Sequence, residues 1–248
     1  MKNIIVLSRK GGNGKTTTAH ALGAGLLRQG KRVLFVDMDG QANMTLTLGA
    51  DENAPGAYDL LCKGTPIAET IQTTPQGDVI AGSELLHASD KFLDGVEDTF
   101  ILARVLEGVK RQYDYCIIDT PAALGMVTMN CIIAANRIIV PVQADLFSVQ
   151  GAERIATTLQ TLKEQCGEKR KVDGYLLTRY NPRATISKSI YNDLEQYAKD
   201  HGTKVYKTKI RECAALKEAE LMQQSIFEYA PRSNGAKDYT EFINEFIG

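Results

Sequence analysis

Short apolar runs rich in β-branched residues recur along this chain, separated by longer segments whose apolar positions return at helical spacing. Runs at 3–7, 32–36, 78–81, 115–118, 137–142, 174–177 and 204–206 read as strands. Most are apolar nearly throughout, as strands covered on both faces are. Segments 15–29, 99–112, 124–135, 147–166 and 187–201 carry helical periodicity. Strand and helix alternate, which predicts an α/β fold: a doubly wound, mostly parallel sheet with helices on both faces. Gly30 and Lys31 separate the first helix from the second strand, with the glycine acting as a helix stop. Residues 49–77, richer in Gly, Pro, Thr and Asn, read as a looped excursion on the domain. The tail, 234–248, places Tyr239, Phe242, Ile243, Phe246 and Ile247 on one helical stripe and is expected to pack on the core.

Length and composition narrow the class. A chain of 248 residues is long enough for one large core, and nothing marks an internal boundary, so 1–248 is read as a single domain. Net charge is −1, so the overall balance does not advertise nucleic acid or an anionic membrane, and either would need a local basic patch. Cys62, Cys116, Cys131, Cys166 and Cys213 are odd in number and widely spaced, without a C-x-x-C pair, against both a disulfide framework and a zinc site. The apolar stretch near the N-terminus is too short for a signal peptide, and no run is long enough to span a bilayer. A cytoplasmic protein with no integral membrane segment is expected.

The candidate chemistry begins where the first strand meets the first helix. Gly11, Gly12 and Gly14 allow positive φ and let backbone N–H groups face phosphate oxygens, while the helix N-terminus adds favourable partial charge. Lys15 is placed to reach the β- and γ-phosphates of ATP, Thr16 to ligate Mg²⁺, and Thr17 to bond an α-phosphate oxygen. Farther on, Tyr115 to Ile118 run as an apolar strand into Asp119, the pattern of a carboxylate that holds Mg²⁺ through water. Asp37 and Asp39 follow the second strand, where a parallel sheet presents groups to bound phosphates.

Lys10-Gly11-Gly12-Asn13-Gly14-Lys15-Thr16-Thr17 departs from the usual phosphate loop, with Arg9 at the first glycine's position. The run resembles the deviant Walker A loop of the partition-ATPase and Min-type superfamily, K-G-G-x-G-K-T-T, of the SIMIBI-like class of P-loop NTPases. The resemblance implies that Lys10 crosses a dimer interface to the partner's nucleotide. By the same resemblance, Asp37-Met38-Asp39-Gly40-Gln41 matches a D-x-D-P-Q segment. Asp39 would then orient the attacking water and Asp37 support the magnesium shell, with Gly40 in place of proline implying a more mobile loop. Ala122 similarly stands where a second proline is usual.

The resemblance to ParA/Soj-type partition ATPases extends from this loop to Pro231-Arg232-Ser233-Asn234-Gly235-Ala236, similar to the family's P-R-S-x-G-A ending. It implies homodimerisation on ATP, nonspecific DNA binding and nucleoid association by the dimer. Release would follow hydrolysis stimulated by a ParB-like centromere-binding protein or another partner. Segment 209–219 resembles I-P-R-N-V-R-L-S-E-A, which puts Arg211 at the nucleotide and Ala215 where the family has a DNA-contacting arginine. Arg183, Lys188 and Lys217 are the remaining candidates for DNA, and for each the plain alternative is a solvated surface charge. The chain starts directly on its first strand, so no N-terminal helix-turn-helix domain is expected.

Three rivals share the loop. A Min-type membrane ATPase needs a basic amphipathic end, whereas Asp238, Glu241 and Glu245 oppose Lys237 here. A nitrogenase-iron-protein-like reductase needs cluster cysteines, but Cys116 falls inside a strand and Cys131 in a helix. A nucleotide-switched positioner of a protein cargo is not separated by the loop at all.

Overall fold

In the computed structural model, residues 1–145 and 148–248 are described, so Phe147 of the helix expected at 147–166 lies outside them. The strands are β1 (Lys2–Val6), β2 (Val33–Asp37), β3 (Ile71–Thr74), β4 (Gly77–Ile80), β5 (Tyr115–Asp119), β6 (Arg137–Gln143) and β7 (Gly174–Thr178). They form one sheet in the order β3-β4-β2-β5-β1-β6-β7. β3 runs antiparallel to β4, and the other pairings are parallel. The helices are α1 (Lys15–Arg28), α2 (Asn43–Leu48), α3 (Ile67–Thr70), α4 (Ile101–Leu106), α5 (Met126–Ala134), α6 (Ser148–Cys166), α7 (Thr185–Asp200), α8 (Ala214–Leu221), α9 (Ile226–Tyr229) and α10 (Asn234–Ile247).

The period of two along each strand divides the core. Ile5, Leu7, Leu34 and Val36 belong to one apolar cluster with α5 and α6, through Ile132 and Ile155. Ile4, Val6, Val33 and Phe35 belong to the other with α1 and α10, through Leu22 and Phe242. Both faces are therefore covered, which is why the strands read as unbroken apolar runs. Tyr239, Phe242, Ile243 and Phe246 of α10 are all buried, so the stripe of the last helix packs on this core as expected.

Some elements differ from the sequence reading. The excursion at 49–77 contains β3, which turns back on β4 through Pro75 and Gln76. Segment 204–206 is not a strand: Val205 makes a single parallel bridge to Tyr175. Tyr206 turns inward instead, with its ring edge-on to Phe242 at 5.0 Å and its hydroxyl on Asp173. Of 99–112, only α4 is α-helical, flanked by 3-10 turns at Val96–Phe100 and Glu107–Val109. The helical periodicity of the sequence does not announce α8 or α9.

The parallel register brings the carboxyl ends of three strands together. Val6 and Asp37 both pair with Asp119, so the turns leaving β1, β2 and β5 open on the same sheet edge. Open α/β sheets bind ligands at that edge.

Candidate functional site

Between β1 and α1 the chain makes the turn that the glycines permit. Gly12 and Gly14 have φ of 77° and 79°, a left-handed conformation that side-chain-bearing residues adopt at a cost. Gly14 is the N-cap of α1, and neither a capping side chain nor a first-turn acid neutralises that helix end. An anion is the complement it lacks.

The turn forms the floor of a cavity of about 1140 Å³. Gly11, Gly12, Gly14, Lys15, Thr16 and Thr17 line it from the loop. Asp39, Arg211 and Lys217 line it from the walls, together with His87 and Glu220. Lys15 is itself buried, at 8% exposure, so its ammonium is committed to this interior.

Asp37 and Asp119 lie beneath the cavity, fully buried. One oxygen of Asp119 accepts the Thr16 hydroxyl at 2.6 Å, while its Oδ1 is buried without a hydrogen-bond partner. Burial raises the pKa of Asp119, and the neighbouring Asp37 charge raises it further, against the Thr16 bond and the Lys15 charge. A buried acceptor left open beside a threonine hydroxyl is the donor set for a hard divalent cation or its water, so these residues fit Mg²⁺.

Asp37 is committed differently. Its Oδ2 accepts from the Thr45 N–H at 2.8 Å and the Thr45 hydroxyl at 2.7 Å, and its Oδ1 accepts from the Asp39 N–H at 3.1 Å. Burial raises its pKa despite those bonds. Its visible work is to organise the turn that carries Asp39. That turn closes on itself: Asp39 Oδ1 accepts from the Gln41 N–H at 3.1 Å and its carbonyl from the Ala42 N–H at 2.9 Å.

Lys10, Asn13 and Arg211 have partners of their own. Lys10 is in a second cavity, of about 300 Å³, with Asn13, and pairs with Asp145 of its own chain. Asn13 donates to the Ser8 hydroxyl at 3.0 Å, and its carbonyl accepts the Thr178 hydroxyl at 3.0 Å, which ties the loop to β7. The Arg211 guanidinium is held by Asp238 of α10, with Nε donating to Oδ2 at 3.0 Å. Arg183 and Lys188 are exposed and line neither cavity, whereas Lys217 lines the large one.

Sequence reasoning does not anticipate Glu220 or His87. The Thr17 hydroxyl donates to the Glu220 carboxylate at 2.5 Å, across 203 positions of sequence. Burial raises the pKa of Glu220 above the ordinary glutamate value. Its only local signal is an acid just beyond the 209–219 segment.

An AAA-domain family model, AAA_31, matches residues 1–172. The chain is 34% identical to the sporulation initiation inhibitor protein Soj of Bacillus subtilis, over 98% of this chain and 97% of that one. It is 30% identical to the chromosome-partitioning ATPase Soj of Treponema pallidum, over 99% and 97% of the two chains. Among solved structures it is similar to the cobyrinic acid a,c-diamide synthase of Mycobacterium smegmatis with a bound ATP analogue and magnesium. That likeness has a TM-score of 0.85 at 27% identity, covering 100% of this chain and 94% of the other.

Proposed function

The chain belongs to the Soj/ParA family of partition ATPases, and from that premise we propose that its Mg²⁺-dependent ATP hydrolysis drives a DNA-binding dimer switch. Residues 1–248 act as one ATPase domain. ATP brings two copies together, the dimer binds DNA without sequence preference, and a ParB-like or other stimulating partner triggers hydrolysis and release. The cell would then see a nucleoid-associated protein whenever ATP is bound.

The observation that carries this reading is the placement of the two loop lysines. Lys15 points its buried charge into the large cavity, whereas Lys10 lies outside it against Asp145. A lysine in the loop but outside its own chain's nucleotide cavity is suited to leave Asp145 and meet the partner's phosphates. Within one chain, the loop N–H groups and Lys15 hold the triphosphate, Thr17 bonds the α-phosphate, and Arg211 supports the nucleotide from the wall. Thr16 and Asp119 hold Mg²⁺, with Asp37 behind them shaping the Asp39 turn. Mg²⁺, when bound, neutralises charge on the phosphate oxygens. Asp39 orients the attacking water.

The output surface favours DNA over membrane. The apolar stripe of α10 is spent on the core, and no described helix is long and apolar enough to cross a bilayer. Arg183 and Lys188 stand exposed beside and on α7, where they are available to phosphate. The test is cosedimentation with DNA and, in parallel, with anionic liposomes, each with and without ATP. ATP-dependent capture by DNA alone is expected, and capture by liposomes alone would overturn the reading.

A further inference from the structure

Gly40 is buried, yet its backbone does not require glycine, because it is absent from the positive-φ positions. What crowds it is the end of a neighbouring side chain. A Cβ built at Gly40 would lie 2.7 Å from both Cε1 and Nε2 of His87 and 2.9 Å from Cδ2. In this arrangement the imidazole edge fills the space next to Gly40, and a larger residue there would push the ring aside. Gly40 directly follows Asp39, and His87 lines the large cavity beside Asp39 and Gln41.

The His87 side chain is exposed, but the segment that carries it is anchored. That segment is the 3-10 stretch Glu84–Lys91, whose Leu86 and Ser89 are buried. Three residues on, Asp90 Oδ1 accepts from the Met126 N–H at 3.0 Å, at the first turn of α5. The same segment is thus braced against the chain leaving Asp119 and seated on the turn carrying Asp39.

We propose that His87 is a positioning residue for ATP hydrolysis: its imidazole, seated on Gly40, holds the Asp39 turn in its working place. The base of the turn is tied down, with the Met38 N–H on the Asp119 carbonyl at 3.0 Å and Asp37 accepting from Thr45, whereas the Gln41 and Ala42 N–H groups bond back to Asp39. The imidazole supplies a contact from a distant segment at Gly40, so it limits displacement of the Asp39 tip. This inference rests on Asp39 acting on the water.

The experiment combines His87→Ala, His87→Gln, Gly40→Ala and the Gly40→Ala/His87→Ala double variant. Misplacement of a reacting group by an ångström costs about a hundredfold, so a partial loosening in His87→Ala should lower kcat by about tenfold. KM and calorimetric ATP affinity should stay within about twofold, and His87→Gln, with its planar end group, should recover most of kcat. Gly40→Ala should lower Tm of the nucleotide-free protein by overpacking against the ring, and should lower it less once His87 is alanine. Unchanged kcat in His87→Ala, or Tm losses that simply add, would overturn the proposal. Asp39→Ala, measured beside them, separates the two layers: wild-type turnover there removes the role of Asp39. A slow Asp39→Ala with a fast His87→Ala removes only that of His87.

Discussion

Thr16 donates its hydroxyl to one oxygen of Asp119 at 2.6 Å, while the other oxygen is buried with no partner. The sheet places that carboxylate beside Asp37, its register partner on β2, so two buried acids lie side by side under the phosphate loop. A buried acid pair without a cation keeps a proton.

The pH dependence follows from that proton. Both acids have folded pKa values raised from 3.8, Asp37 to about 6 and Asp119 to about 8, with burial the largest cause. For a raised value, the linked stability is fully present below the unfolded pKa and is lost as pH rises through the folded one. The nucleotide-free protein should therefore lose stability from this pair between about pH 4 and pH 8. Asp119→Asn should flatten that decline in Tm against pH, and an unchanged slope would assign the decline to other groups.

Lys15→Ala should abolish useful ATP binding. A hydrogen bond to a charged group contributes about 1.5–3 kcal/mol, so affinity should fall by about tenfold to a hundredfold or more. The buried position of Lys15 leaves little room for solvent to substitute for it. Titration calorimetry reading undiminished affinity would place the triphosphate elsewhere.

Much of this was legible in local pattern. The unbroken apolar run from Ile4 to Leu7 announced a strand covered on both faces, and the two clusters take its residues alternately. The phosphate loop was legible because its function depends on adjacent residues, Gly14, Lys15, Thr16 and Thr17, in one turn. Asp119 was legible as the polar end of an apolar strand. Contacts between distant segments were not: Glu220 meets Thr17, and His87 meets Gly40, with no periodicity to announce either. Residues 204–206 misled for a related reason. Their strand-like composition reflects Tyr206 packing into the core, not a place in the ladder.

Glu220 should restrain nucleotide binding. Its carboxylate takes the Thr17 hydroxyl that we assign to the α-phosphate, and it lines the same cavity as Lys15. An acid facing a triphosphate is repulsive, and partial burial weakens the screening. Glu220→Gln keeps the shape and removes the charge, so ATP affinity should rise by roughly threefold to tenfold, on the order of 1 kcal/mol. An affinity that falls instead would make Glu220 a nucleotide ligand.

The basic residues should separate in their effects, because Lys217 lines the large cavity and Lys188 does not. Lys188 is exposed on α7 outside both cavities, whereas Lys217 lines the nucleotide cavity from α8. Lys188→Glu should weaken DNA binding and reduce the log–log salt slope by roughly 0.9 for each phosphate that the protein no longer neutralises, with ATP affinity unchanged. Lys217→Glu should lower ATP affinity as well, since it adds a negative charge facing the phosphates and removes a positive one. Its DNA defect would then be partly indirect and should diminish at saturating ATP, whereas that of Lys188→Glu should not. DNA binding measured over a range of both salt and ATP distinguishes the two, and equal behaviour of the variants would place both lysines on one surface.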